Sequence, residues 1–560
     1  EPLVTVGDNT VFYEGVYQDT DFGYRCAVKI SKTDGVVCEE GNHITVKDAQ
    51  ETLLFYHLLP VPDRRKAAPR AEDAFTGLPL SFDGLLQDHA RLHNAVYSRM
   101  ELKLEDAGAP KEELAEELWE TGRGKQPPNR FFTMVCDAGR YQVISASGKT
   151  PPLLQGLWTG TNHVPWSGDY TRNGNEQTVI LSNLPGNMFE CMDSFISYEE
   201  SLVPEERENA RVMYGYPGIL SASRTSSHGL NNHFSVEWPM TFWTTGAAWN
   251  AHFFYDYYLY TMDRDFFLNH ALPYMKECIV FFEEFLIEDE NGQWMFIPSY
   301  SPENKPGNSP GISQACVNAT MDIALVSELL RNLIQGCETE GVEKESVPKW
   351  KAMLSKMPPY QVNKDGALKE WCTPRHEDFY DHRHSSHLYP LYYGVAPEFE
   401  NNPGLMDAAK KAYEMRMKYK KQEIGVMAFG TIQMAMTAVH LGDTDTAWKL
   451  LCSIAENNYY NTFSPSHNAG PFIFNCDISG GVPGLILEML VQSRPVTDGA
   501  GKIRSFEIRL LPNLPAPWKT GSLRGVRARG GFELNFSWEN GKVSQCEVIP
   551  HSNYEYTLLS

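Results

Sequence analysis

The sequence predicts a multidomain, mainly α-helical protein with β-rich segments at both ends. Short β-branched and aromatic runs fill residues 1 to about 60 and return after about 503. Between about 240 and 490, apolar residues instead recur at helical spacing between short Gly, Pro and Asn loops. The length of 560 residues is enough for about three or four domains.

The N-terminal segment indicates a β-sandwich or part of one. Its β-rich runs are separated by Gly, Asp and Asn turn residues and lie at 5–6, 10–13, 24–30 and 43–46. A Pro- and Arg-rich stretch follows at 60–70. Helical spacing at 85–97 and a charged run at 111–120 then predict linker helices between domains.

The central region predicts a succession of amphipathic helices of about 12 to 18 residues. They are expected at 247–260, 270–287, 318–336, 405–420, 427–441, 445–457 and 482–493. Helices without intervening strands favour packed α-hairpins, in a bundle, a solenoid or a closed α/α toroid. No repeat of fixed period is visible, which disfavours the solenoid. Aromatic residues on most faces of 247–260 predict a helix buried on both sides. Strands return at 506–510, 532–536 and 543–549.

Composition excludes several classes of partner. The formal net charge of −22 repels phosphate backbones and anionic lipid headgroups, so neither nucleic acid nor a membrane surface is expected to bind. No apolar run approaches the roughly 20 residues needed to cross a bilayer. Aromatic residues make up 12% of the chain, which is compatible with a sugar-handling enzyme, although large cores also use aromatic side chains.

Cysteine usage does not indicate a disulfide scaffold. Eleven cysteines in 560 residues are sparse, and the odd number leaves at least one thiol unpaired. Cys26 and Cys38 could pair. An isolated residue such as Cys476 is more often a small core side chain than a nucleophile. The chain begins at Glu1 and shows no signal-peptide pattern.

Polar loops with carboxylates and amides are the candidate functional sites. Asn173 and Asn175, two residues apart, would point the same way in an extended chain and could converge on one ligand; turn-capping is the alternative. Glu303 lies in the helix-incompatible loop 298–306, where a buried Glu could act as a general acid; an exposed loop acid is equally compatible. Asp477, before a predicted helix, could be a base or merely an N-cap.

A further loop carries Arg383 and three histidines, His382, His384 and His387. Three imidazoles within six residues suggest a metal site. The spacing of known helical metal motifs is absent, however, and hydrogen-bonding or core histidines are favoured over ligands.

These loops together resemble glycoside hydrolase family 95. The resemblance runs in order over about 150–530. It rests on the segments LLQGLW (153–158), PWSGDY leading into Asn173-Gly174-Asn175, WTTGAAW (243–249), PSYSPEN (298–304), HRHSSHL (382–388), CDISGGVPGLILEML (476–490), LLPNLPAPW (510–518) and RARGGFEL (527–534).

The resemblance implies an (α/α) six-hairpin barrel catalytic domain flanked by an N-terminal β-sandwich and a C-terminal β-domain. The expected boundaries are 1–75 for part of the sandwich, 76–150 for linker helices and a connecting strand, 151–494 for the barrel and 495–560 for the C-terminal domain. The sandwich portion is shorter than the family leads one to expect. A secreted or periplasmic location is likewise implied only by resemblance.

The implied activity is exo-acting, inverting hydrolysis of terminal α-L-fucosyl or α-L-galactosyl residues from oligo- or polysaccharides, without metal or cofactor. By motif position, Glu303 would be the general acid. Asn173 and Asn175 would hold the nucleophilic water, and Asp477 would polarise them, because a neutral amide is a poor base. The sugar would be bound by Thr171, Trp243, Arg383 and His384.

Departures from the family pattern bear on specificity. Family fucosidases usually carry His where this chain has Thr171, and the smaller residue leaves room for the C6 hydroxyl that distinguishes L-galactose from L-fucose. Glu176 follows Asn175 and could add a second carboxylate. Two alternatives stay open: a catalytically degenerate glycan-binding protein with the same fold, and a metal-dependent hydrolase using His382, His384 and His387.

Overall fold

The computed structural model describes most of the chain. The described residues are 3–17, 21–61, 70–79, 81–106, 108, 113–124, 126–161, 163–233, 235–236, 240–309, 311, 313–419, 427–470 and 473–560. Most of the Pro- and Arg-rich stretch 60–70, the first two residues of the charged run 111–120 and the last residue of the predicted helix 405–420 lie outside them.

Residues Glu1–Ala95 form the first of two compact units. The strands in its described residues are β1 (Leu3–Gly7), β2 (Thr10–Val16), β3 (Gly23–Thr33), β4 (Val36–Glu40), β5 (His43–Lys47) and β6 (Thr52–Val61). An antiparallel sheet has the order β1-β2-β3-β6, and β4 pairs with β5 as a separate hairpin. The strands expected from β-branched runs are confirmed, and the sequence analysis missed β4 and β6. Most of α1 (Phe82–Tyr97) also belongs to this unit.

Residues Val96–Ser560 form the second unit, which is mainly helical. Its longer helices are α2 (Ala115–Gly122), α3 (Asn129–Ala146), α5 (Phe189–Tyr214), α6 (Gly246–Thr261), α8 (Leu272–Phe285), α9 (Thr320–Glu340), α10 (Val347–Ser355), α12 (Pro403–Tyr419), α13 (Ala428–His440), α14 (Thr444–Asn457) and α15 (Asp477–Leu490). Three are short: α4 (Asn175–Val179), α7 (Arg264–Phe266) and α11 (Pro397–Glu400). A π-helical turn, Phe267–Ala271, joins α7 to α8.

Two sheets are formed mainly by the C-terminal residues of the second unit. One has the order β12-β13-β17, from β12 (Val491–Thr497), β13 (Ile503–Leu510) and β17 (Glu555–Leu559). The other has the order β16-β15-β14-β7, from β14 (Gly521–Ala528), β15 (Phe532–Glu539), β16 (Lys542–Pro550) and β7 (Glu101–Leu104). The strand expected in the linker region therefore belongs to a C-terminal sheet. Two-residue strands form the pairs β8 (Tyr170–Thr171) with β9 (Arg224–Thr225) and β10 (Ile287–Glu288) with β11 (Trp294–Met295).

One continuous apolar core joins the helices and C-terminal sheets of the second unit. Helix α6 is buried over nearly its whole length, as its aromatic faces predict. Cys476 is a core residue, and burial raises the pKa of its thiol. Cys26 and Cys38 are both free thiols. No helix in the described part of the chain has the length and apolar character required to cross a bilayer.

Two expectations about the helices need correction. Helix α15 begins at Asp477 rather than near residue 482, and residues 491–493 belong to strand β12. The Gly- and Pro-containing start of α15 hid its helical character, because those residues have poor intrinsic helix propensity. The 26-residue helix α5 was missed; it contains Pro204 and many charged residues.

The close approach of α15 to α4 explains a glycine at the start of α15. A Cβ atom on Gly480 would lie 1.8 Å from the carbonyl oxygen of Val179. Such a contact cannot be accommodated without moving one helix. Gly480 therefore allows the first turn of α15 to lie against α4, which brings Asp477 close to Asn175.

Replacing Gly480 with alanine tests this packing. We expect Gly480→Ala to lower the free energy of unfolding by about 1–3 kcal/mol, because the added methyl overpacks the contact with Val179. Urea unfolding measures this loss. Gly499→Ala is the control, since no heavy atom lies within 4 Å of its added Cβ. Stabilisation by Gly480→Ala of about 1 kcal/mol, the usual gain inside a helix, would contradict the account.

Candidate active site

The candidate site lies where several loops and helix starts of the second unit converge. Asn175 is the first residue of α4, and Asp477 is the first residue of α15. Glu303 lies in the loop before α9, and Arg383 lies in the loop before the 3₁₀ turn Ser386–Leu391. Side chains separated by up to about 300 residues in sequence meet here.

Glu303 is held by three predicted site residues. Its Oε1 accepts a hydrogen bond from Asn173 Nδ2 at 3.0 Å. Its Oε2 accepts one from Arg383 Nη2, and His384 Nε2 lies 3.6 Å from the same oxygen. Both carboxylate oxygens are thus oriented by polar partners, as a residue that transfers a proton in a fixed direction requires.

Asp477 forms the second carboxylate of the site. Its Oδ2 accepts a hydrogen bond from Asn175 Nδ2 at 2.7 Å, and His467 Nδ1 lies 3.3 Å away. The backbone N–H of Asp477 donates to Asn475 Oδ1 at 2.7 Å. Asp477 is 2% exposed, so its carboxyl group interacts with Asn175 and His467 rather than with bulk water.

The two asparagines are divided between the two carboxylates. The extended chain that would point both amides the same way is not found, because Gly174 has φ 140° and ψ −35° and α4 starts at the next residue. The turn directs Asn173 to Glu303 and Asn175 to Asp477. A Cβ on Gly174 would lie 2.8 Å from the Phe429 ring, so the turn also requires glycine for space.

A buried polar layer supports the Glu303 loop. Ser301 Oγ and Asn304 Nδ2 donate to the two oxygens of Glu370, at 2.8 and 2.7 Å. Arg416 Nη2 also donates to Glu370, at 2.8 Å. Burial raises the pKa of Glu370, against the lowering effect of Arg416. Glu370 therefore fixes the residues that flank Glu303 on both sides.

The start of the same loop is anchored to α9. Asp322 accepts hydrogen bonds from Ser299 Oγ at 2.5 Å and from Thr245 Oγ1 at 2.7 Å. Burial raises the pKa of Asp322 to about 6. The Glu303 loop is thus tied to the helix bundle at two separate carboxyl groups.

The tryptophans of the recognised segments fall into two groups. Trp243 is 1% exposed and packs edge-to-face on the equally buried Trp249, with ring centroids 6.3 Å apart. At that exposure, the Trp243 ring has no open face on which the expected sugar could stack. Trp166 and Trp158 are instead 39% and 41% exposed. Trp166 packs edge-on against His467, with centroids 4.8 Å apart, and thus borders the Asp477 end of the site.

Thr171 is joined to a charged pair beside the asparagine turn. Its Oγ1 donates to Asp169 Oδ1 at 2.8 Å, and Arg224 Nε donates to Asp169 Oδ2. Arg224 Nη2 also donates to the carbonyl of Trp166 at 2.7 Å. Burial raises the pKa of Asp169, against the lowering effect of Arg224. Thr171 is therefore held in place next to Asn173.

The three histidines are not brought together as a ligand set. His382 and His384 are neighbours, with ring centroids 5.4 Å apart. His387 turns away, and its Nδ1 lies 3.4 Å from the guanidinium of Arg416. Burial and Arg416 lower the pKa of His387 well below its ordinary value. Within the described residues, no group of three His, Cys, Asp or Glu side chains could hold a metal ion.

A buried charge cluster underlies the asparagine turn. The fully buried guanidinium of Arg172 contacts Glu206 at 2.8 Å, Glu176 at 3.5 Å and Glu199. Glu176 therefore points into this cluster rather than adding a second carboxylate to the site. Burial raises the pKa of Glu176 well above its ordinary value and that of Glu199 to about 7. These three carboxylates raise the pKa of Arg172, although burial alone would lower it.

The cluster is hydrogen-bonded to the turn. Asn250 Nδ2 donates to Glu199 at 2.7 Å, and Gln177 Nε2 donates to Asn250 Oδ1 at 2.9 Å. Gln177 Oε1 accepts from the backbone N–H of Gly174 at 3.0 Å. The position of Gly174, and with it the division of the two asparagines, depends on this buried network.

Two features of the site were missed by the sequence analysis. His467 lies in the segment SPSHNAG, which carries no helical or strand periodicity and resembles an ordinary connecting loop. Gln155, in the recognised segment LLQGLW, is 2% exposed, and neither polar atom of its amide has a hydrogen-bond partner among the described residues. The Oδ1 of Asn173 is likewise buried without a partner. Such unused polar atoms are available to a substrate or a water molecule.

Removing the charge of Arg172 tests the buried cluster. We expect Arg172→Met to lower the free energy of unfolding by about 3–5 kcal/mol at pH 8, because the carboxylates lose their only cation in the cluster. Burial already raises the pKa values of Glu176 and Glu199, and without Arg172 they rise further above their unfolded values, so protonation relieves the loss as the pH falls. Urea unfolding at pH 8 and pH 5 should give the larger loss at pH 8.

Arg207→Met is the matched control. Arg207 pairs with Glu277 at 2.6 Å, but its side chain is 54% exposed, so its loss should cost about 0–1 kcal/mol. Equal losses for the two variants, or no dependence on pH for Arg172→Met, would contradict the described cluster.

Comparison with known proteins places the chain among glycosidases. The model of the glycosyl hydrolase family 95 catalytic domain matches residues 81–490, and the model of the glycoside hydrolase family 95 C-terminal domain matches residues 504–559. The chain is similar to "Alpha-L-fucosidase 2" of Arabidopsis thaliana, with 29% identity over 83% of this chain and 55% of that protein. It is also similar to "Probable alpha-fucosidase A" of Aspergillus niger, with 27% identity over 84% of this chain and 60% of that protein.

The chain thus spans a little over half the length of these relatives. Among solved structures, "Putative kojibiose phosphorylase from human microbiome" shares the fold, with a TM-score of 0.62 and 11% identity over 98% of this chain and 75% of that chain. The family match covers both the helical region that carries the candidate site and the C-terminal sheets. The chain belongs to glycoside hydrolase family 95.

Proposed function

We propose that this protein is an exo-acting, inverting glycoside hydrolase that removes terminal α-L-fucosyl or α-L-galactosyl residues from oligo- or polysaccharides. The observation that carries the proposal is the pairing of Asn173 with Glu303 and of Asn175 with Asp477. The fucosidase names of two relatives support the fucosyl substrate. A six-hairpin α/α barrel and a secreted or periplasmic location are parts of the same proposal and rest on the family resemblance.

Inversion needs an acid on the leaving-group side of the sugar and a base that activates water on the opposite face. We assign the acid to Glu303. The water lies against Asn175, whose amide is polarised by Asp477, and the buried Oδ1 of Asn173 accepts a hydrogen bond from the same water. Asp477 receives the proton, because an amide is too weak a base to do so.

Arg383 and His384 form a polar side of the proposed sugar site. Arg383 Nη2 donates to Glu303 Oε2, and His384 Nε2 lies 3.6 Å from the same oxygen. The Arg383 side chain is one-third exposed, so the hydroxyls of a bound sugar can accept hydrogen bonds from its remaining N–H groups. Both residues orient Glu303 toward the leaving oxygen.

Variants of the two carboxylates separate their roles. We expect Glu303→Gln and Asp477→Asn each to lower kcat by about 10²–10⁴-fold with aryl α-L-fucosides. For Glu303→Gln the loss should shrink when the leaving group is dinitrophenol, which needs no protonation. For Asp477→Asn the loss should be the same for good and poor leaving groups. Steady-state kinetics with a series of substituted phenols measures both trends.

Glu277→Gln serves as the control, because Glu277 lies in a surface pair with Arg207 and should leave kcat unchanged. Hydrolysis close to that of the wild type by either site variant would overturn the assignment of that residue. If the purified wild-type chain released no sugar from any α-L-glycoside at any pH, the alternative of a glycan-binding protein without turnover would replace the proposal.

Thr171 favours α-L-galactosides as a second substrate class. The side chain is small and is fixed by Asp169, so space is left where the resemblance leads one to expect a histidine. We expect Thr171→His to lower kcat/KM for aryl α-L-galactoside about tenfold or more relative to aryl α-L-fucoside, because the larger ring fills the space of the C6 hydroxyl. Competing hydrolysis of the two substrates gives the ratio.

Thr171→Ser is the matched control, since it keeps both the hydroxyl that donates to Asp169 and the space beside it. An unchanged ratio in Thr171→His, with Thr171→Ser active, would show that residue 171 does not select between the two sugars.

A further inference from the structure

A cavity of about 470 Å³ lies among the same helices but away from the candidate active site. Asp256 in the second half of α6, Glu328 in α9 and Glu488 near the end of α15 line it. Glu488 follows Asp477 by eleven residues in the same helix, which is about 16 Å at about 1.5 Å per residue. The cavity is therefore separate from the candidate active site, where Asp477 lies at the start of α15.

The size and lining of the cavity are those of a small-molecule site. Its volume falls within the range of about 300–1,000 Å³ that is typical of ligand pockets. The strands β12 and β13 contribute Arg494 and Glu507 to the wall, and Tyr389 and Tyr393 contribute aromatic rings. Charged and polar groups of this kind bind the hydroxyls of a polar ligand.

The charges in the cavity are nearly balanced. Among the described residues, five carboxylate and four guanidinium side chains line it. Arg529 pairs with Asp256 at 2.9 Å, and Arg494 pairs with Glu400 at 2.7 Å. An anionic ligand such as a phosphate ester would find no excess of positive charge here. A neutral ligand with many hydroxyl groups can instead use both members of each pair, because each hydroxyl both donates and accepts a hydrogen bond.

Three buried polar atoms in the lining, His252 Nε2, Gln492 Nε2 and Tyr360 Oη, have no hydrogen-bond partner among the described residues. His252 is 8% exposed, and its Nδ1 lies 3.0 Å from Glu328 Oε1. The buried Nε2 is therefore the ring nitrogen left to hydrogen-bond a ligand. The ring is fixed by stacking on Tyr393, with centroids 4.3 Å apart. The amide nitrogen of Gln492 is an unused donor in the same lining.

We propose that this cavity is a second binding site for a neutral mono- or disaccharide, distinct from the site of hydrolysis. His252 Nε2 forms a hydrogen bond with one sugar hydroxyl, and Gln492 Nε2 donates a hydrogen bond to another. The paired carboxylates and guanidiniums bind the remaining hydroxyls. The assignment depends on the cavity residues alone, so it stands whether or not the protein hydrolyses α-L-fucosides.

Calorimetric titration of the full chain with L-fucose, D-galactose and lactose tests the proposal, with inorganic phosphate as the anionic comparison. We expect at least one of the three sugars to bind and phosphate not to bind. In Val395→Trp, the indole should fill the cavity and weaken binding of that sugar at least tenfold. Hydrolysis of aryl α-L-fucoside, if the wild type catalyses it, should stay within twofold of the wild-type rate.

Val496→Trp is the control, because Val496 is exposed on β12 and does not line the cavity; its sugar affinity should match that of the wild type. Gln492→Leu is a gentler variant that keeps the cavity and should weaken binding about fivefold through the loss of one hydrogen bond. The proposal is overturned if none of the three sugars binds, if phosphate binds instead, or if sugar binding persists unchanged in both Val395→Trp and Gln492→Leu.

Discussion

The contact between the first turns of α4 and α15 is the constraint on which the candidate site depends. Gly480 lets the helix start of α15 lie against the Val179 carbonyl, and the hydrogen bond between Asn175 and Asp477 bridges the same two helix starts. Residues about 300 positions apart are thereby held in register by backbone packing rather than by a flexible loop. A carboxylate–amide pair that activates water needs this precision, since small displacements cost large factors in rate.

The buried charges around Arg172 also help to position the site residues, but burying them costs solvation free energy. Burying one guanidinium with three carboxylates removes several charges from water, and their mutual attraction only partly offsets that loss. Hydrogen bonds that continue through Asn250 and Gln177 to Gly174 further offset this loss of solvation. The turn separates the two asparagines so that each serves a different carboxylate. The Glu303 loop is fixed independently, through Glu370 and Asp322.

Local patterns predicted the class of the fold and most of its central helices, because amphipathic periodicity is a property of neighbouring residues. These patterns failed where contacts between residues distant in sequence determine the structure. The glycines that weaken the helical signal at the start of α15 are required by α4, and Trp243 is buried although its segment is a recognised motif. Loop composition singled out Glu303 and Asp477, and the resemblance gave them roles, but the roles of Arg172 and His467 follow only from distances. Amphipathic periodicity does not identify a residue whose role is to position another side chain.

The stereochemistry of the released sugar tests the central claim most directly. If Glu303 protonates the leaving oxygen while water beside Asn175 and Asp477 attacks the opposite face, cleavage of an aryl α-L-fucoside or α-L-galactoside must first release the β anomer. Proton NMR during the first minutes, before mutarotation, distinguishes the two anomers. The account predicts β-L-sugar at the earliest times; first appearance of the α anomer would mean net retention and would contradict this assignment of the two carboxylates.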